Sequence, residues 1–176
     1  GENGTPEGKA NNRRVEFVKF TGNAAPSSSS STNGVSSSAA NSAFDSLNRK
    51  SIAQKLEQLP DALNIPISNN NGTVNGTGTI ILYATSDGNL GKMEILDVDK
   101  NDGYKLTARF VSYDYNGSVH SESNHLEIPG TYTCDLDKGT IEEIIQSEVD
   151  FHYGRQDKTT GTLYPGETAI LRVFPN

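Results

Sequence analysis

The chain has 176 residues, 33% of them hydrophobic, and carries a formal net charge of −7. That length holds one ordinary domain with an appendage, and the negative field opposes nucleic-acid or anionic-membrane partners, whose phosphates it would repel. No run of about 18 apolar residues occurs, so no segment reads as a membrane-spanning helix.

Residues 1–42 read as a flexible polar tail. Gly1 has the look of a processing scar, and Glu2–Asn12 resembles the tether of an exported bacterial lipoprotein, with a lipid anchor in the native precursor. The location expected on that ground is the cell envelope or the extracellular space. Val15, Phe17 and Phe20 make one brief strand pattern over 13–20. Thr21–Ser42 is a Ser-rich linker with too little apolar surface to offset the entropy of ordering it.

From 43 to 63 the period changes. Phe44, Leu47, Ile52, Leu56, Leu59 and Leu63 keep near one face of a 3.6-residue repeat, with Arg49, Lys50 and Glu57 opposite. Ser42 or Asp45 is placed to cap such a helix, and Pro60 to end or kink it. The apolar stripe predicts packing on a sheet or across the end of a barrel.

After Ile65 the chain alternates with period two between turn signals. Thr79–Tyr83 reads as a strand buried on both faces, and Lys92–Val98 as the next, with Met93 and Ile95 opposite Leu96 and Val98. In Tyr104–Tyr115, Leu106, Ala108 and Phe110 alternate with Lys105, Thr107 and Arg109, the pattern of a half-buried antiparallel strand. Asn116-Gly117 is a hairpin turn signal, since both residues tolerate positive φ. Val119–Ile128, Thr131–Leu136, a segment through Val149, Phe151 and Tyr153, and Thr168–Phe174 complete the strands. Thr140–Gln146 fits either a helical turn or a strand start. The predicted fold is mainly β: an antiparallel meander of about seven to nine strands, in a sandwich or barrel, with one packed N-terminal helix over 43–176.

No reactive constellation stands out. Asp97, Asp99, Asn101 and Asp102 carry oxygens at calcium-loop spacing, but the sixth and twelfth positions of such a loop hold Asp102 and Ala108 instead of glycine and glutamate. A hairpin turn explains them as well as calcium does, and calcium is the one cofactor for which the sequence offers ligands. His120 with Glu122 and His125 with Glu127 fall on strand faces without the third and fourth ligands that zinc needs. Cys134 is the single cysteine, which excludes an intrachain disulfide, and no nucleophile motif surrounds it. Asp135 with Asp137, and Glu142 with Glu143, are carboxylate pairs whose separation only a structure sets. Asn3, Asn71, Asn75 and Asn116 begin Asn-Gly-Ser/Thr triplets, which read as turns before they read as glycan acceptors.

Tyr113, Asp114, Tyr115 and Asn116 offer the one ligand-like grouping: flat rings for the C–H faces of a sugar, and polar groups for its hydroxyls. The expected function is therefore a non-catalytic binding or adhesion module on an exported or cell-surface β domain, with a glycan or protein as partner. The alternative is a small apolar-ligand carrier built as a calycin-like β-barrel.

Overall fold

The computed structural model describes residues 43–68, 75–99, 101–143, 148–155 and 160–175, which belong to one unit, 34–176. The strand expected at 13–20, the Ser-rich tract, Asn3 and Asn71 lie outside the described residues.

The described residues form ten strands: β1 Ile65–Ile67, β2 Ile80–Ala84, β3 Leu90–Asp99, β4 Lys105–Tyr113, β5 Val119–Ile128, β6 Tyr132–Asp135, β7 Thr140–Glu142, β8 Phe151–Arg155, β9 Gly161–Pro165 and β10 Ile170–Phe174. They make two five-stranded sheets, β1-β9-β8-β6-β7 and β10-β2-β3-β4-β5, with antiparallel pairing throughout and no closed barrel. Consecutive hairpins build β2 to β5, while β1 crosses to pair with β9, and β10 returns to lie beside β2. The ambiguous stretch after Gly139 begins as strand β7.

Alternation puts the core between the sheets. In β4, Leu106, Ala108, Phe110 and Ser112 are buried, and the residues between them are half-exposed. They meet Ile81, Tyr83, Met93 and Ile95 from the same sheet, and Ile65, Ile67, Cys134, Phe151, Tyr153 and Leu163 from the other. One expectation fails within β3. The register slips between Ile95 and Asp97, so Val98 joins Met93 and Ile95 in the core instead of facing away with Leu96. An extra residue in one strand of a pair resets the faces beyond it.

Gly91 shows how closely neighbouring strands of one sheet are filled. A Cβ there would lie 2.1 Å from the Tyr83 ring, its neighbour in the ladder. With hydrogen in that place, Tyr83 lies across the strand, and its hydroxyl sits 2.8 Å from Ser112 Oγ.

β2 is buried on both faces because a helix covers the outer one. Ile80 and Leu82 pack against Phe44, Leu47, Ile52 and Leu56. The structure thus has three layers, helix on sheet on sheet. The helical segment is not the continuous run expected. A turn at 43–46 stops, and helix α1 (Arg49–Gln58) starts afresh at Asn48. Asn48, rather than Asp45, caps α1: its side chain accepts from Ser51 N–H, while Ser51 Oγ accepts from Asn48 N–H; Ser42 lies outside the described residues. Leu59 is extended (φ −82°, ψ 147°), as steric pressure from the following proline demands, and the helix ends there. Leu63 therefore lies beyond the helix, 89% exposed, and not on its buried stripe.

The outer interface is held by charges as well as by apolar contact. Lys92 is 4% exposed, and its Nζ donates to the carbonyls of Phe44 (2.6 Å) and Leu47 (2.8 Å). Nζ also lies 4.4 Å from the centre of the Phe44 ring. Burial holds this amine below the usual lysine range, against the pull of Asp45. Beside it Arg109 Nε meets buried Glu94 at 2.5 Å, and the guanidinium carbon lies 4.1 Å from the centre of the Phe44 ring.

Candidate functional site

The calcium and ligand candidates singled out from the sequence fall in or beside two hairpin turns. Asp99 Oδ1 accepts from the backbone N–H groups of Asn101 and Asp102, and Asp102 pairs with Lys105 at 2.9 Å. Asp97 is exposed in β3, opposite Thr107. The Asp99 and Asp102 oxygens are engaged in closing the β3–β4 turn, a role that aspartate takes in turns without any ion.

The second turn joins β4 to β5. Asp114 Oδ1 accepts from Asn116 N–H (2.9 Å) and Ser118 N–H (3.0 Å), and Gly117 takes φ 89°. The loop is three residues, Tyr115 to Gly117, one more than the Asn-Gly signal suggests. Tyr113 closes β4 and is half-buried against the helix cluster, which pushes its phenol up. Tyr115 stands at the tip, 82% exposed, next to exposed Asn116 and Val119. The two tyrosines thus do different things: one packs under the helix, the other projects.

Tyr115 and Val119 are two of the four large hydrophobic residues that the described surface exposes. The other two, Leu63 and Ile170, line an open groove of about 370 Å³ with Ala62, Pro165 and Leu171, and Asp61 and Glu167 at its margin.

The remaining candidates are placed apart. Cys134 is fully buried between the sheets, and desolvation pushes its thiol up, which removes the thiolate needed for attack. His125 is exposed and 3.4 Å from Glu127, and His120 is exposed at the start of the same strand. His152 faces away from Phe151 and Tyr153 and stacks on Tyr164. Asn75 is 4% exposed with Nδ2 donating to Pro66 O, a position closed to a glycan in the folded chain.

One grouping was visible only in fragments. Asp135 and Asp137 flank buried Leu136 at the β6–β7 turn, and Asp150 precedes β8; one oxygen of each lies within 4.8 Å of the others. Asp150 accepts from Ser86 N–H (2.7 Å) in the β2–β3 turn and from Leu136 N–H (2.6 Å) in the β6–β7 turn. It therefore bridges the two sheets at one end of the sandwich. Burial, then the neighbouring carboxylates, push its acid up to about 6 against those two donors. Asp137 Oδ1 accepts from Asn89 Nδ2 (2.9 Å), and Lys138 Nζ pairs with Asp135 at 2.6 Å. The sequence signal was the i, i+2 spacing of Asp135 and Asp137, which puts both carboxylates on one side of the chain. Nothing local announced Asp150.

No protein-family model matches the chain, and no curated protein or solved structure is significantly similar to it.

Proposed function

We propose that the chain is a non-catalytic binding or adhesion module, exported to the cell envelope or beyond, whose β4–β5 turn contacts a surface glycan or protein. The observation that carries this reading is Tyr115, 82% exposed on a turn that Asp114 braces from within. A flat ring held ready beside Asn116 presents contact area at little cost in side-chain or loop entropy. The filled space between the sheets supports the same view, since it leaves the surface to do the binding.

Screening the full chain against a glycan array tests this, with calorimetry on any hit. The expected outcome is one glycan class bound, with Tyr115→Ala weakening it at least about tenfold, near 1.4 kcal/mol, while Tm stays unchanged. A ligand whose affinity ignores Tyr115→Ala and Asn116→Ala contradicts the placement.

A second reading, the small apolar-ligand carrier, is favoured by the groove at Leu63 and Ile170. No hollow barrel encloses that groove, because the described strands form two open sheets packed face to face. Fatty-acid binding weakened by Ile170→Asp, and by no change at Tyr115, would select the carrier.

A further inference from the structure

We infer that Asp135, Asp137 and Asp150 hold a calcium ion at the end of the sandwich where the β6–β7 turn meets the β2–β3 turn. The inference is independent of the ligand-binding reading, and it concerns a different place from the Asp97–Asp102 turn.

Four observations converge. One oxygen of each of the three carboxylates lies within 4.8 Å of the others, close enough for a single cation to touch all three. Magnesium holds most of its own water and demands a near-octahedral shell, which suits a cluster of three protein carboxylates less well than calcium's flexible one. Asp137 is 7% exposed, and its Oδ2 is buried without a hydrogen-bond partner among the described residues. A buried carboxylate oxygen left so is costly unless something positive answers it. Charge points the same way: three carboxylates against the one ammonium of Lys138 leave two negative charges over, and Asp87 and Glu148 near Lys138 add to the field. The donors are all oxygen, with neither histidine nor thiolate among them, which suits a hard cation and not zinc.

The remaining contacts leave room for the ion. Each Asp150 oxygen accepts one backbone N–H, and Asp137 Oδ1 accepts from Asn89, so every one of them keeps a lone pair. Lys138 reaches Asp135 from outside, with a side chain 64% exposed that is free to turn into solvent. Bound there, the cation would tie the β6–β7 turn to the start of β8, through the same carboxylates that accept from Ser86 and Asn89 of the β2–β3 turn.

The test is calcium alone, titrated by calorimetry into the full chain after treatment with chelator, with Tm read in parallel. Expected are one ion per chain and a Tm rise of about 5–10 °C at a hundredfold excess over Kd. Asp137→Asn should fold, with a metal-free Tm no lower than the parent's, because it relieves repulsion. It should weaken calcium more than about tenfold and lose the Tm rise. Asp135→Asn gives a second variant with the same expected loss of affinity, and Asp99→Asn should change nothing. No heat and no Tm shift in the parent chain overturns the inference, and leaves a proton shared between carboxylates as the answer to the orphaned oxygen. Binding that survives Asp137→Asn but disappears in Asp99→Asn overturns it too, and moves the ion to the β3–β4 turn.

Discussion

The two faces of the β10-β2-β3-β4-β5 sheet are covered by different means. Its inner face meets the second sheet through Ile81, Tyr83, Met93, Leu106 and Phe110, a contact that is almost wholly apolar. Its outer face meets α1 through Ile80 and Leu82, yet beside them sit Lys92, Glu94 and Arg109, all tied to one another's neighbours by hydrogen bonds and ion pairs. Apolar contact is tolerant of direction, whereas a buried ammonium has to find its carbonyls. The inner face therefore supplies the bulk of stability, and the outer one fixes where the 43–58 segment lies.

The difference is sharpest under substitution. Phe151→Ala empties the fully buried centre of the inner interface and should cost about 3–5 kcal/mol in denaturant unfolding. A loss near 1 kcal/mol would mean that the sheets close over the gap. Lys92→Ala removes the donor to two carbonyls and should cost about 1–3 kcal/mol by the same measurement. If it stabilises the chain instead, the outer face is an apolar interface with an awkward charge in it. Asn48→Ala strips the reciprocal cap from α1 and should cost about 1 kcal/mol, with Asn48→Gly milder. An unchanged Tm would show that packing of Ile52 and Leu56 alone sets the start of the helix.

The same contrast explains what could be read in advance. β4 is legible because apolar and polar residues alternate from Lys105 to Phe110, one face wet at its edges and one dry. β1 and β9 were missed: Ile65-Pro66-Ile67 has too few residues for a period, and the second strand opens on Gly161 and ends on Pro165. The β3 bulge was missed because strict alternation has no place for an inserted residue. Asn48 escaped notice since the apolar stripe runs through it unbroken, and only the competition of its side chain for Ser51 N–H interrupts the helix. The aspartate cluster depends on a contact between turns 13 residues or more apart, which no local pattern carries. The β4–β5 turn chemistry, by contrast, is local, and there the sequence reading failed by one residue only.

The sandwich stands by itself, with the helix docked on its outer face. Native-state hydrogen exchange of the full chain in rising sub-denaturing guanidinium tests that directly. The amides of α1 should open in a step of lower free energy and weaker denaturant dependence than those of β2, β4 and β8. If helix and inner strands instead share one opening free energy at every denaturant concentration, the helix is an integral part of the core and the two faces are not separate.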